Sequence, residues 1–192
     1  MRLLSHFPAI GISNTYIVGP IEGGDALLVD PGNFDVALLE LIEDNRYDIR
    51  AVLVSHDHKN HIDGLRTLLK IYKAEIFAGA DHVAGFPAQV VEDGTRIKAA
   101  GIEVEILNVK GHSSDSRVYR VGPYMFTGDI LSAGRVGTST SSHSRELMIQ
   151  SIREKILTRK EDLLILPGHG PPTTIEAEKR WNPELQYGSK NF

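Results

Sequence analysis

Short apolar runs broken by polar turns mark the first half of the chain and predict β-strands. One segment, NFDVALLELIEDN, instead places its apolar residues on a broad helical face, and the preceding DPGN supplies turn and cap residues. The run AVLV is continuously apolar, so it predicts a buried strand that ends at Ser55. A helix from about His61 to Tyr72 should follow it. The remaining strands predicted in this half are RLLSHF, NTYIVG, ALLVD and AEIFAG.

The second half continues in the same style without repeating the sequence. IEVEILNV alternates as a strand does, RVYRVG and YMFTG predict a hairpin, and DLLILP predicts another buried strand. SRELMIQSIREKIL has the apolar periodicity of an amphipathic helix. A last short helix is expected in TTIEAEKRWN, with Thr173 or Thr174 as its N-cap. Because no linker or clear repeat interrupts the pattern, we treat residues 1–192 as a single domain.

Composition and charge narrow the class of protein. The chain has 192 residues, a net charge of −4 and 41% hydrophobic residues, which is ordinary for a globular protein. Lys and Arg do not gather in one run, so we expect no nucleic-acid partner. There is neither a signal-peptide pattern nor an apolar run near the ~20 residues of a membrane span, so we expect a cytoplasmic protein without a membrane partner. The absence of cysteine excludes disulfides and thiolate ligands. The oligomeric state is not predicted.

The polar motifs SHDHKNH, GHSSDS, TGD and PGHG all fall at or just after the ends of predicted strands, where loops on a rigid scaffold usually build sites. Imidazole suits zinc and iron, so histidines gathered in such loops favour a shared metal site. His56 and His58 lie two apart in an extended segment and can share one ion, whereas His61 should face a neighbouring position. Asp129 offers an anionic oxygen. The histidines in these loops are His56, His58, His61, His112 and His169.

The three other histidines, His6, His82 and His143, stand alone in the sequence. A lone histidine is more often an ordinary surface or loop residue than a ligand, because one imidazole without neighbouring donors does not make a metal site. We therefore expect no site role for these three residues.

Taken together, these motifs resemble those of the metallo-β-lactamase superfamily. SHDHKNH resembles its His-x-His-x-Asp-His loop, GHSSDS its second Gly-His loop, FTGD its bridging aspartate and PGHG its last histidine, while LLVDPG matches an early strand and turn. Within the superfamily, FTGDIL, LPGHGPPTT and NPEL resemble the small glyoxalase II-like thioester hydrolases. The resemblance implies an α/β fold, a four-layer αββα sandwich, with the site at one edge of the two sheets. It also implies that the C-terminal helical domain of the larger enzymes is lacking.

The resemblance further divides the site residues between two metal positions. The first would be formed by His56, His58 and His112, and Asp129 would bridge it to a second formed by Asn60, His61 and His169. Hydrolysis would use a hydroxide held on the metal, since a divalent ion lowers the pKa of bound water to about 7. Asp129 would orient or deprotonate the attacking water. The expected cofactor is Zn²⁺, as one or two ions, with Fe²⁺ also suited to the donors, and the expected substrate is a small thioester or other activated acyl compound.

Asn60 departs from the family pattern, which has Asp at this position. An amide oxygen is neutral and a poor zinc ligand, so the sequence predicts a filled first position and a weak or empty second one. The alternative is that Asn60 still binds through its oxygen and that two ions load at high metal concentration. Compensation by Asp57 or Asp63 is less favoured, because Asp57 should face away and Asp63 should cap the following helix.

A second departure concerns the loop after Asp129. Related sequences often carry a basic residue nine positions on that helps to hold glutathione, whereas this chain has Thr138 there. Arg135 is the nearest cation, and it is either a substrate-binding residue or a solvated surface charge. With Asn60, this leaves two alternatives to the hydrolase open. One is a mononuclear Fe(II) persulfide dioxygenase, and the other is a catalytically weakened metal-binding or regulatory module.

Overall fold

Two six-stranded β-sheets face one another in this protein. Its computed structural model describes residues 1–8 and 12–186. In spatial order, the first sheet consists of β1 (Arg2–His6), β2 (Thr15–Gly19), β3 (Gly24–Val29), β4 (Tyr47–Leu53), β5 (Glu75–Ala78) and β8 (Gln89–Val90). The second consists of β16 (Thr173–Thr174), β15 (Leu164–Pro167), β12 (Tyr124–Gly128), β11 (Val118–Val121), β10 (Ile102–Leu107) and β9 (Arg96–Ala99). Two separate hairpins pair β6 (His82–Val83) with β7 (Phe86–Pro87), and β13 (Leu131–Ser132) with β14 (Arg135–Val136).

Helices cover the outer faces of both sheets. They are α1 (Val36–Asp44), α2 (Lys59–Ile62), α3 (Leu65–Ile71), α4 (Ser142–Lys155) and α5 (Ile175–Trp181). Leu38 of α1 and Leu68 of α3 pack in one apolar cluster with Leu28 of the first sheet. Met148 of α4 packs in another with Met125 of the second sheet. The fold is therefore the αββα sandwich that the sequence predicted. Among the described residues, none of the helices combines the length and the apolar character of a membrane span.

The layer between the two sheets is apolar. Successive side chains of a strand point to opposite faces, and here both faces are buried. Tyr16 and Leu27 join Phe126 in the cluster between the sheets, whereas their neighbours Ile17 and Leu28 face the helices. Burial on both sides explains why these strands appear in the sequence as continuous apolar runs. Each such Leu or Ile contributes about 1.5–3 kcal/mol by burial, so the layers form a rigid support for the loops at their edge.

The predicted helix from about His61 to Tyr72 is wrong as a single element. The chain forms α2 and α3 instead, with a break at Gly64. A Cβ at Gly64 would lie 2.7 Å from the carbonyl oxygen of Pro31, so this residue allows the chain to pack against the turn after β3. Gly64, and not Asp63, occupies the N-cap position of α3.

Two other helix starts can be compared with their predictions. The N-cap of α1 is Asp35 and not a residue of DPGN, since Asp35 Oδ1 accepts a hydrogen bond from the Leu38 N–H at 2.9 Å. Thr174 is the N-cap of α5, as predicted, and its side chain accepts a hydrogen bond from the Ala177 N–H.

The loops with the polar motifs meet at one edge of the sandwich. β3 and β4 are parallel neighbours, so Asp30 and Ser55 follow adjacent strand ends. β12 and β15 are parallel neighbours in the other sheet, so Asp129 and His169 also follow adjacent strand ends. Parallel neighbours present their carboxyl ends at the same side of a sheet, which is where sites form in α/β folds.

Candidate metal centre

Three histidine nitrogens and one carboxylate oxygen converge at this edge. His56 Nε2 lies 2.8 Å from His58 Nδ1, and His112 Nε2 lies 3.2 Å from each of these two atoms. Asp129 Oδ2 lies 3.9 Å from His56 Nε2. Ligands bound at about 2.0–2.1 Å to a tetrahedral zinc ion lie roughly 3.3 Å from one another, so these separations suit a single ion. The structure thus brings together the residues predicted for the first position.

A second group shares Asp129 with the first. Asp129 Oδ1 lies 3.2 Å from His61 Nε2 and 3.7 Å from His169 Nε2. The side chain of Asn60 reaches the same place, since its amide nitrogen lies 2.7 Å from His169 Nε2. The residues predicted for the second position are therefore also together, and Asn60 contributes an amide to this group.

Neither neighbouring carboxylate, that of Asp57 or that of Asp63, joins the second group beside Asn60. Asp57 is exposed, and its Oδ1 accepts a hydrogen bond from the Ala84 N–H at 3.4 Å, so it faces away from the centre as predicted. Asp63 is exposed as well and belongs to neither group of metal-binding side chains in the described ranges. The second group therefore contains Asp129 as its carboxylate.

Two buried atoms indicate that the centre is built for an ion. His61 Nε2 and Asp129 Oδ1 lie 3.2 Å apart without the alignment of a hydrogen bond, and neither has another hydrogen-bond partner among the described residues. A buried polar atom without a partner costs about 1–3 kcal/mol, so such a pair suggests that another contact is supplied on binding. A divalent transition ion fits a donor set of imidazole nitrogens and one carboxylate.

Asp30 lies beneath both groups, and our sequence analysis did not identify it as a site residue. Its Oδ2 accepts hydrogen bonds from His61 Nδ1 at 2.9 Å and from Ser55 Oγ at 2.7 Å. Its Oδ1 accepts one from the Ser55 N–H at 2.7 Å. Because Ser55 Oγ gives its only hydrogen to Asp30, it accepts one from His56 Nδ1 at 3.0 Å. Asp30 thereby turns Nε2 of both histidines towards the centre, as outer carboxylates do in metal sites.

Burial and neighbouring charges set the pKa values at the centre. Burial lowers the pKa of His56 to about 4, helped by the His61 cation, so His56 is neutral near neutral pH. Burial also lowers the pKa of His61, but the carboxylates of Asp30 and Asp129 outweigh it and raise this pKa to about 9. Burial raises the pKa of Asp129, but the contact with His61 and the charge of His169 outweigh it and lower this pKa to about 2. A metal ion that binds His61 must therefore displace a proton.

The loop that follows Asp129 orients the His112 ring by a hydrogen bond on the side away from the first group. Its Nδ1 lies 2.8 Å from the carbonyl oxygen of Thr138, so Nδ1–H donates to that oxygen and Nε2 faces the first group. Thr138 therefore contributes its main-chain oxygen to the orientation of His112. Gly137 makes this course of the loop feasible, because a Cβ there would overlap the carbonyl oxygen of Asp129.

Gly168 gives the last histidine loop its close approach to the centre. A Cβ at Gly168 would overlap the ring of His61 and would lie 2.8 Å from Asp129 Oδ1. The Gly168 N–H donates to the carbonyl oxygen of Gly128 at 2.8 Å, which fixes the loop against the end of β12. Gly168 is therefore required because a larger residue would clash with the side chains of His61 and Asp129.

Arg135 lies at the wall of a cavity of about 440 Å³ next to the second group, and Asp129 and His169 line the same cavity. The β13–β14 hairpin that carries Arg135 is anchored by Glu178 of α5, whose Oε1 accepts a hydrogen bond from the Gly134 N–H at 3.0 Å. The exposed guanidinium of Arg135 has no ion-pair partner within residues 1–8 and 12–186. This position agrees with a substrate-binding role, which stays a prediction.

The three lone histidines lie outside both groups. His6 Nε2 lies 3.3 Å from Asp35 Oδ2, at the start of α1. His82 is exposed beside Asp81, with 3.4 Å between its Nδ1 and the carboxylate. His143 is exposed in the first turn of α4. Within the described ranges, none of the three belongs to either group of metal-binding side chains.

The chain can now be compared with known proteins. A sequence model of the metallo-beta-lactamase superfamily matches residues 9–169. The chain is 34% identical to an uncharacterized protein of Mycobacterium tuberculosis, over 96% of this chain and 98% of that protein. It is 29% identical to the hydroxyacylglutathione hydrolase GloC of Haemophilus influenzae, over 84% of this chain and 87% of that enzyme. The solved structure of TTHA1623 in a di-iron-bound form has a TM-score of 0.78 and 25% identity, over 94% of this chain and 98% of that one. This protein belongs to the metallo-beta-lactamase superfamily.

Proposed function

We propose that this protein is a metal-dependent hydrolase of small thioesters or related activated acyl compounds. The observation that carries the proposal is the convergence of three imidazole nitrogens and the Asp129 carboxylate beside an open cavity of about 440 Å³. The similarity to a hydroxyacylglutathione hydrolase supports a thioester as the substrate class. No cysteine is available as a nucleophile, which agrees with attack by water.

In this proposal His56, His58, His112 and Asp129 would hold the first ion, zinc or iron. When bound, the ion supplies a Lewis acid that lowers the pKa of water to about 7 and polarises an acyl carbonyl. Asp129 keeps its negative charge over the working pH range, because the pKa of its carboxyl is lowered to about 2. It can therefore accept a hydrogen bond from the attacking water and orient it. His56 and His112 are held in fixed tautomers by Ser55 and the Thr138 carbonyl.

The test is release of free thiol from S-D-lactoylglutathione and from a simpler acyl thioester, measured together with metal content. His112→Ala should remove most of the metal and the hydrolysis, because it takes away a ligand nitrogen at the centre. His143→Ala is the matched control, since His143 is exposed on α4 and should leave both unchanged. Wild-type protein that carries metal but releases no thiol from any acyl thioester would contradict the proposal.

A second candidate function is a mononuclear Fe(II) dioxygenase acting on a persulfide. The contact between Asn60 and His169 at 2.7 Å favours this dioxygenase over a two-metal hydrolase. The contact occupies a ligand of the second position, so only the first position keeps a complete set of ligands. Histidine and carboxylate donors with open positions suit non-haem iron. Oxygen consumption with glutathione persulfide, seen only after iron loading, would support this candidate. If the loaded protein catalyses neither reaction, it is a metal-binding or regulatory module instead.

A further inference from the structure

Asn60 stands in the right place for a metal ligand, so its effect on the second position is chemical and not geometric. Its main-chain oxygen accepts a hydrogen bond from the Ser13 N–H at 3.0 Å. A Cβ at Gly32 would overlap that same oxygen, so the turn after β3 packs directly on this part of the chain. The position of residue 60 is therefore fixed from two sides, and its half-buried side chain points towards His169.

The Asn60 amide engages the nitrogen of His169 that a second ion would need. The two side chains lie 2.7 Å apart at His169 Nε2, and this nitrogen also faces Asp129 Oδ1 at 3.7 Å. With the amide nitrogen towards His169, Asn60 donates to the lone pair of Nε2. With the amide turned over, its oxygen accepts a hydrogen from Nε2, which then has no lone pair to offer. In both arrangements the hydrogen bond competes directly with a metal ion.

The small negative charge of the ligands also disfavours a second ion. Two divalent ions at this centre would share one carboxylate, that of Asp129, because Asn60 is neutral and Asp57 and Asp63 lie outside both groups. Ions in two-metal sites are about 3.5–4 Å apart, and their repulsion has to be offset by negative ligands between and around them. The second ion therefore lacks both a charged ligand and a free imidazole.

We propose that this protein holds one metal ion, and that the hydrogen bond between Asn60 and His169 closes the second position. Asn60 would therefore block the His169 nitrogen by a hydrogen bond and would not act as a weak metal ligand. The inference rests on the proposed function only in that it assumes an ion at the first position, formed by His56, His58, His112 and Asp129.

The test is zinc titration of the metal-stripped protein by calorimetry, with metal atoms per chain counted afterwards. Wild type should bind one zinc ion tightly and a second only far more weakly. Asn60→Asp should strengthen the second ion by more than the roughly 10–100-fold that an outer-shell partner is worth, because it adds a charged ligand. Asn60→Ala should strengthen the second ion by roughly 2- to 10-fold, the range of one lost competing hydrogen bond.

The Asn60→Ala variant distinguishes a residue that blocks His169 from a residue that binds the second ion. If Asn60 binds the second ion through its oxygen, Asn60→Ala weakens that ion, and the inference is overturned. Two zinc ions of similar affinity in wild type would overturn it as well, while leaving the proposed hydrolase intact. No zinc bound at either position would overturn both proposals together. Asp63→Asn is the matched control for charge near the centre, and it should leave both affinities as in wild type because Asp63 is exposed and outside both groups.

Discussion

Asp30 accepts a hydrogen bond from His61 across 2.9 Å, between its Oδ2 and the Nδ1 of the imidazole, beneath the metal centre. Its two oxygens accept three hydrogen bonds in all, two of them from Ser55. Asp30→Asn replaces one of these acceptors with a donor and leaves a buried N–H without a partner. We expect a loss of about 1–3 kcal/mol in unfolding free energy and a roughly 10–100-fold lower metal affinity. Urea unfolding and metal titration measure the two effects.

The same substitution at Asp35 provides the control. Asp35 also lies beside a histidine, with 3.3 Å between its Oδ2 and His6 Nε2, but it caps α1 away from the centre. Asn is as good an N-cap as Asp, so Asp35→Asn should keep the helix and the metal affinity. An equal loss of metal in both variants would contradict the positioning role of Asp30.

Gly168 offers a steric test of how closely the centre is packed. The Cβ introduced by Gly168→Ala would overlap the His61 ring and crowd Asp129 Oδ1, so one of these groups must move. We expect metal affinity to fall by at least about tenfold while the far-ultraviolet circular dichroism stays that of the wild type. The comparison is Gly170→Ala, where φ is +82° and no atom lies within 4 Å of the new Cβ. That variant should cost about 1–2 kcal/mol of backbone strain and retain its metal, so loss of metal in both variants would argue against close packing as the cause.

Much of the centre could be predicted from the sequence because its ligands lie in short loops after strands. The strand ends place the histidine loops and Asp129 at one edge, whatever the details of packing. Asp30 was missed because its importance depends on β3 and β4 being neighbours, which the residues around LLVDPG do not reveal. The break at Gly64 was missed for a similar reason. The apolar pattern continues through it, and the break reflects contact with the distant carbonyl of Pro31.

Arg135 should recognise an anionic group on the substrate, because it is an exposed cation at the wall of the cavity beside Asp129 and His169. Arg135→Gln is expected to raise KM about tenfold or more for a thioester with a free carboxylate, the scale of one hydrogen bond to a charged group. KM for an uncharged thioester should change much less, and Arg135→Lys should recover part of the binding. Steady-state kinetics with the two substrates decide the point. An equal change for both would indicate that Arg135 is a solvated charge.

His61 should make the metal-free protein sensitive to alkaline pH. Its pKa is raised from 6.5 to about 9 in the folded state, mainly by Asp30 and Asp129 against the opposing effect of burial. A raised pKa means that the folded state binds the proton more tightly than the unfolded chain. The stabilisation is therefore fully present below pH 6.5 and is lost as the pH rises through about 9. His56, with a pKa lowered to about 4, acts only below pH 6.5 and does not enter this range.

We therefore expect the unfolding free energy of the chelator-treated protein to fall by up to about 3 kcal/mol from near-neutral to alkaline pH. Zinc at the first position should shift this fall to lower pH, because its positive charge engages Asp129 and opposes the proton on His61. Urea unfolding across the range, with and without zinc, measures both curves. His61→Gln should have a flat curve in the metal-free state. If that variant does not fold, an NMR titration of the His61 ring in the wild-type protein gives the pKa directly. A pKa near the ordinary value for histidine would show that Asp30 and Asp129 do not hold this proton.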